Sequence, residues 1–103
     1  MSATSNIERA NSLLGSRVRI PDEVVYRSFP QETVVLNLAE GKYHAVNASG
    51  GRMLDTVAQV GSVGHAATLL AEEYGRELSE ITDDLLEFCG LLVDRGLLVV
   101  EPA

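Results

Sequence analysis

The sequence has a single cysteine, a single lysine, no tryptophan and no apolar run long enough to cross a membrane. The one cysteine, Cys89, cannot form an internal disulfide, which is typical of proteins from a reducing compartment. Residues 1–16 are largely polar and lack the charged and then apolar segments of a secretory signal. These absences predict a cytoplasmic protein.

Positive charge is also scarce. The formal net charge is −7, from 15 acidic and 8 basic residues, and Arg17 and Arg19 are the closest basic pair. A nucleic-acid-binding protein of this size needs a basic face that displaces counterions from phosphates, and an anionic membrane makes a similar demand. The charge balance therefore predicts no nucleic-acid partner and no membrane partner, and it favours a neutral or basic partner.

The remaining composition is typical of one small globular domain. The chain has 103 residues, of which 46% are hydrophobic but only 5% are aromatic, so one core built mainly of Leu, Val and Ala is expected. We predict a flexible N-terminal segment at residues 1–16 and a single domain at residues 17–103.

The first half of this domain has the patterns of β-strands. Three segments rich in β-branched and aromatic residues are separated by short turns at Pro30-Gln31 and at residues 39–41, which predicts an antiparallel meander. The predicted strands are residues 24–29, 32–38 and 42–46, with further short extended segments at 17–20 and 97–100.

The second half has helical periodicity. Asn47 is a favourable N-cap for a first helix, Gly61 ends that helix, and Ser62 caps a second helix that extends to Gly75. Ser79 is predicted to cap the third helix. The order predicts an α+β fold like a winged helix-turn-helix, with a three-stranded antiparallel sheet followed by three helices. The core face of the third helix is assigned to Ile81, Leu85, Phe88 and Leu92. At 100° per residue, the last three fall within about 40° of Ile81 around the helix axis.

The sequence offers no constellation for catalysis, for a metal or for a cofactor. His44 and His65 fall on different predicted elements, and a zinc site needs several ligands brought together. Cys89 lies in the middle of a helix on an apolar face, where no helix N-terminus activates the thiol. Gly50-Gly51 matches no phosphate-binding pattern, and it predicts close packing of the first helix on the sheet. We therefore predict a protein that is not an enzyme and binds neither metal nor cofactor.

Three segments resemble a known family. Residues 34–47, V-V-L-N-L-A-E-G-K-Y-H-A-V-N, contain an apolar strand, a turn ending in Gly, an aromatic strand and an Asn that begins a helix. Residues 69–75 and 83–98 are similar to the family's second helix and to its last helix with a helix-ending Gly-Leu. In this order they resemble the PqqD-like family, whose members are also called RiPP recognition elements, over about residues 22–100. The chain departs from the family at Met53 or Leu54, where members often have a large aromatic residue, and at Gly90, where they usually have a longer polar one.

The resemblance implies a protein that binds the leader segment of a ribosomally synthesised precursor peptide and delivers it to a leader peptidase or another modifying enzyme, with lasso-peptide biosynthesis as the favoured pathway. The leader would add as a strand to the edge of the third strand and would lie beside the third helix. The expected pairing edge is Lys42, Tyr43, His44, Ala45 and Val46. The expected groove residues on the third helix are Leu86, Cys89, Gly90 and Val93, and the alternative is that Leu86, Cys89 and Val93 belong to the core.

Three alternatives stay open at the level of sequence. The same fold could act as a peptide chaperone for a radical SAM enzyme, in another RiPP pathway or in pyrroloquinoline quinone synthesis. A winged-helix DNA-binding regulator fits the layout, although the acidic charge opposes it. A small hydrolase would use Cys89 with His65 and would require a reactive thiol.

Overall fold

The computed structural model describes residues 12–101, and within them strands precede helices as the sequence patterns predict. The predicted α+β fold, a three-stranded antiparallel sheet followed by three helices, is confirmed. The strands are β1 (Arg17–Arg19), β2 (Val24–Ser28), β3 (Glu32–Asn37), β4 (Lys42–Asn47) and β5 (Val99–Glu101); the helices are α1 (Ala48–Val60), α2 (Val63–Tyr74) and α3 (Leu78–Asp94).

The three-stranded sheet has the spatial order β2-β3-β4, with β3 in the centre. Val35 of β3 pairs with Tyr26 of β2 and with His44 of β4, so these three side chains lie on the same face of the sheet. Thr33, Val35 and Asn37 alternate along β3 and are all buried. This alternation makes one face of the sheet the inner face, which is covered by the helices.

The two remaining strands pair with each other rather than with the sheet. Val18 of β1 is the Cα partner of Val100 in β5, and Arg17 is the partner of Glu101. Val18 is buried, and its backbone N–H donates to the carbonyl oxygen of Gly61 at 3.0 Å. The two predicted extended segments are therefore confirmed as strands, and they form a terminal pair that closes the domain.

The helix ends follow local capping chemistry. The Asn47 side chain accepts a hydrogen bond from the Gly50 N–H at 2.8 Å, and the Ser62 hydroxyl accepts one from the His65 N–H at 3.2 Å. Gly61 has a φ of 66°, the left-handed conformation that glycine adopts without strain. These predicted caps and the stop at Gly61 are confirmed.

The predicted cap at Ser79 is wrong. The helix α3 begins at Leu78, so Ser79 lies inside its first turn, and the N-cap residue Glu77 makes no capping hydrogen bond through its side chain. The connection from α2 is short because Gly75, with a φ of 64°, ends α2 only two residues before Glu77. Arg76 stabilises this junction through ion pairs with side chains of the next two turns, Glu80 at 2.9 Å and Asp84 at 3.5 Å.

The core lies between the inner face of the sheet and the helices. Leu85 and Leu92 are buried as predicted, whereas Phe88 is half-buried and packs against the core. The buried apolar residues are Leu13, Val18, Val24, Val35, Leu54, Val57, Val63, Ala66, Ala67, Leu70, Ile81, Leu85, Cys89, Leu92, Leu97 and Leu98.

The N-terminal boundary of the domain differs from the predicted one. Residues 12–15 are helical, and Leu13 is only 5% exposed, so this part of the predicted flexible segment belongs to the core. The prediction for residues 1–11 lies outside the described residues. The sequence pattern around Leu13 is too short to show that it packs against distant residues of the chain.

Gly51 explains how α1 approaches the sheet. A Cβ atom at this position would collide with the hydroxyl oxygen of Thr33 and would lie 2.9 Å from the Cβ of Thr33. The absence of a side chain at Gly51 therefore lets the first turn of α1 rest directly on β3, as predicted for the Gly50-Gly51 pair.

Two classes of feature are absent from residues 12–101. No helix in this range is long and apolar enough to cross a membrane. Within the same range, no group of three or more His, Cys, Asp or Glu side chains converges to hold a metal ion.

Candidate functional site

The strand β4 presents an unpaired edge. It pairs with β3 on one side, and no strand of the described region pairs with its other side. Tyr43 is 71% exposed, Lys42 and Ala45 are also exposed, and His44 and Val46 are half-buried. All five residues predicted for the pairing edge therefore lie on a strand whose outward N–H and C=O groups are open to a further strand.

Gly50 lies between the end of β4 and the helix α3. A Cβ atom at Gly50 would be 3.2 Å from the Cβ of Val46 and 3.4 Å from the Cε1 of Phe88. Gly50 is held at the start of α1 by its hydrogen bond to Asn47. The missing side chain thus allows Phe88 of α3 to come close to Val46 at the inner side of the free edge.

The flank of α3 that carries Phe88 also carries an exposed leucine. Leu91 lies three residues further along, about 60° around the helix axis, and it is 46% exposed. Asp84, one turn before Phe88, lies on the same flank and is ion-paired with Arg76. Phe88 approaches Val46 around Gly50, and Leu91 lies on the same flank of α3; we call Val46, Phe88 and Leu91 the β4–α3 corner.

The structure does not bring most of the predicted groove residues to this corner. Leu86, Gly90 and Val93 lie about 140–160° around the axis of α3 from Phe88, on its opposite flank. Val93 lines a small cavity of about 130 Å³ together with Ser12, Leu13 and Val100. The flank that carries Val93 faces the N-terminal turn and β5, so these three residues lie away from the β4–α3 corner, and their role in peptide binding stays a prediction.

Cys89 is corrected as a groove residue. It is fully buried among the core side chains, so a bound peptide would not reach it in this conformation. Burial raises the pKa of the Cys89 thiol to about 12, because the thiolate loses its hydration. His65 is exposed on α2. The arrangement therefore lacks the accessible, activated thiol that the hydrolase alternative requires.

Phe88 and Leu91 are candidate site residues that the sequence-based prediction of the groove does not include. Phe88 falls at the edge of the apolar face of α3, about 20° from Ile81 on the side away from Cys89, and for this reason it is assigned to the core together with Ile81. Leu91 is an apolar residue on the otherwise charged face that includes Glu87 and Asp94. This isolated leucine indicates that the charged face of α3 also has an apolar contact point.

A polar network fixes the sheet against the helices near this site. The Tyr26 hydroxyl of β2 donates to Asp55 of α1 at 3.0 Å, and Arg52 of α1 binds both Asp55 at 3.1 Å and Glu73 of α2 at 2.6 Å. The pKa of Tyr26 is raised by its burial and by its hydrogen bond to Asp55, and the pKa of Glu73 is lowered by the Arg52 guanidinium. The network joins β2, the edge strand opposite β4, to α1 and joins α1 to α2.

Comparison with solved structures finds two similar folds. The first is described as "TbiB1 in Complex with the TbiA(beta) Leader Peptide", with a TM-score of 0.73 and 25% identity over 82% of this chain and 99% of that chain. The second is described as "Lasso peptide synthetase B1 complexed with the leader peptide" and is similar in fold, with a TM-score of 0.71 and 19% identity over the same shares of the two chains. Among curated proteins, no match is found.

The family comparison covers most of the domain. The model of the family "Coenzyme PQQ synthesis protein D (PqqD)" matches residues 32–98, from the central strand to the end of the helical layer. This range contains β4, Gly50 and α3, the three elements of the site described above. The resemblance seen in the sequence is confirmed, and the chain belongs to the PqqD family.

Proposed function

We propose that this protein binds the leader segment of a ribosomally synthesised precursor peptide, in a lasso-peptide pathway, and delivers it to a leader peptidase or another modifying enzyme. The observation that carries the proposal is the unpaired edge of β4 with the β4–α3 corner at its inner side. The similar structure of TbiB1, itself in complex with a leader peptide, supports it.

Strand addition to β4 provides the first part of the binding energy. About half of the six residues of β4 direct their N–H and C=O groups away from β3. Four or five hydrogen bonds to a guest strand contribute about 0.5–1.5 kcal/mol each. A micromolar complex requires about −8 kcal/mol after the cost of association, so backbone pairing alone is insufficient.

Apolar anchoring provides the second part. Side chains of a guest strand alternate like those of β4, so residues next to His44 and Val46 point inward and residues next to Tyr43 and Ala45 point outward. An inward apolar side chain next to Val46 would rest on Phe88 and Leu91. Burial of one or two such side chains adds about 1.5–3 kcal/mol each, which closes most of the gap.

In this role the protein contributes binding and orientation and no catalytic group. Cys89 is buried and its pKa is raised to about 12, which supports the assignment of the bond-breaking step to a partner enzyme. The cytoplasm, where precursor peptides are synthesised, is the expected compartment.

The experiment is a titration of the full chain with the leader of a candidate precursor peptide sought in its gene neighbourhood, followed by calorimetry and by ¹H–¹⁵N chemical-shift mapping. The expected result is a micromolar or tighter complex whose shifts concentrate on β4 and on Leu91. A second peptide, N-methylated at alternate residues, should lose at least tenfold in affinity because it cannot complete the ladder.

Two outcomes of this titration would contradict the proposal. Shifts confined to β2, the other edge strand, would place the guest on the wrong side of the sheet. Equal affinity for the N-methylated peptide would show that binding does not use strand addition.

The family match favours a second candidate, a peptide chaperone in cofactor synthesis. The matching family is described by its role in coenzyme PQQ synthesis, where the chain would serve a radical SAM enzyme. Pull-down with purified candidate enzymes separates the two functions: a cysteine peptidase partner supports the first, and an iron–sulfur enzyme supports the second.

A further inference from the structure

The face of the sheet that points away from the helices is unusually apolar. Val25 of β2, Leu36 of β3 and Tyr43 of β4 are successive cross-strand partners, so their side chains form one row across this outer face. Val34 and Ala45 belong to the neighbouring row, which Arg27 completes on β2. We call this surface the outer sheet face.

The apolar side chains of the outer sheet face are largely exposed to solvent. Val25 is 47% exposed, Phe29 in the following turn is 51% exposed, and Tyr43 is 71% exposed. Val25, Phe29, Val34 and Leu36 line an open depression of about 620 Å³, with Arg27 at its side. An antiparallel sheet normally presents polar residues to solvent, so a contiguous apolar face of this kind marks an interaction surface.

The dimensions and charge of the face argue against a second copy of the chain. Three strands about 4.8 Å apart and about five residues long cover roughly 250 Å². Two copies would bury roughly 500 Å² face to face, whereas a stable complex needs about 1,200 Å² or more. Each copy also has a net charge of −7, so two copies repel each other.

A guest strand enlarges this face by about one third, so a stable complex also requires a partner that contacts surface beyond the sheet. If a peptide adds to β4 as proposed above, its outward side chains continue the outer sheet face beyond Tyr43 and Ala45. A protein that lies across this enlarged face contacts the adaptor and the captured peptide together. The partner that must contact both is the enzyme that processes the peptide.

We infer that the outer sheet face docks the peptide-processing enzyme, which binds the adaptor with the peptide more tightly than the adaptor alone. The inference rests on the proposed function and adds a second surface to it. Because the acidic chain favours a neutral or basic partner, the enzyme should present an apolar patch with basic residues around it. The coupling is reciprocal, so the enzyme should also raise the affinity of the adaptor for the peptide.

The test uses the full chain with a candidate lasso-peptide precursor and a candidate leader peptidase sought in its gene neighbourhood. The variants Val25→Lys and Phe29→Glu place charges on the outer sheet face, where both side chains are about half exposed and contribute little to folding. The variant Leu69→Lys is the matched control, because Leu69 is a 38%-exposed leucine on the helix α2. For each protein, leader affinity is measured by calorimetry and leader cleavage is measured at limiting adaptor concentration.

The expected result distinguishes the outer sheet face, which docks the enzyme, from the β4 edge, which binds the leader. Val25→Lys and Phe29→Glu should bind the leader within about twofold of wild type, but the cleavage rate should fall about tenfold or more, as when a buried apolar contact of an interface is lost. Leu69→Lys should match wild type in both measurements.

Three results would overturn the inference. Cleavage at the wild-type rate by both face variants would refute the docking surface while the proposed function stands. A concentration-dependent dimer in sedimentation velocity that Val25→Lys dissociates would assign the face to a second copy. Failure of the wild-type chain to bind the leader would remove the proposed function, and the inference with it.

Discussion

Replacing Leu91 with alanine tests the proposed position of the site most directly. Leu91 is 46% exposed and lies about 60° around the axis of α3 from Phe88, whose ring approaches Gly50 at the Val46 end of β4. The substitution removes apolar surface that a guest side chain would cover, and alanine is a better helix former than leucine. The change therefore acts on binding far more than on folding.

The expected magnitude follows from the exposed fraction. Complete burial of a leucine side chain is worth about 1.5–3 kcal/mol, and a little under half of Leu91 remains to be covered. A guest that covers this part gains about 1 kcal/mol, so Leu91→Ala should weaken leader binding about fivefold.

The matched control is Leu78→Ala, because Leu78 is a leucine of the same helix with 50% exposure, three turns away from Leu91. Fluorescence anisotropy with a labelled leader gives both dissociation constants, and thermal unfolding checks that each variant is folded. If Leu91→Ala and Leu78→Ala bind equally well, the guest does not contact the Phe88 flank and the proposed site is refuted.

Three further predictions concern the scaffold. Gly51→Ala should lower the free energy of unfolding by about 1–3 kcal/mol, because the new methyl group collides with Thr33; a urea midpoint equal to that of wild type would contradict this packing. Cys89 should resist alkylation by iodoacetamide in the native state and react at the rate of unfolding, since the thiol is buried and its pKa is raised to about 12; rapid labelling of the folded protein would show that it is accessible. The free energy of unfolding should fall as the pH rises above about 8.5, where an exposed thiol begins to ionise, because the folded chain holds the protons of Cys89 and Tyr26 to higher pH than the unfolded chain does; urea titrations at pH 7 and pH 10 measure the difference.

Local chemistry explains which features could be predicted from the sequence. The caps at Asn47 and Ser62 and the stop at Gly61 depend on contacts within one turn, so residue type and spacing suffice. The β-meander follows from alternating side chains and short turns for the same reason. In a meander of three strands the last strand is at an edge, so the position of β4 at an edge could also be predicted.

The groove on α3 could not be predicted in the same way. Its apolar arc is wide enough to have two flanks, and the sequence of α3 alone does not show which flank faces β4. Which flank faces β4 depends on Gly50, whose missing side chain leaves room for Phe88. It also depends on the N-terminal turn around Leu13, which lies against the flank of Val93. Both are contacts between residues far apart in the chain, and neither has a periodic signature.

The pairing of β1 with β5 has a consequence for larger architectures. The Cα atoms of Arg17 and Glu101 are partners in an antiparallel pair, so they lie about 5 Å apart. The turn at residues 12–15 precedes β1 and belongs to the core, and Ser12 lines one cavity with Val100, so the described domain begins and ends on the same side. Such a domain can be inserted into a surface loop of another protein without moving the two ends of that loop apart, or it can be appended to either terminus. In both arrangements its β4 edge would stay free to bind a peptide.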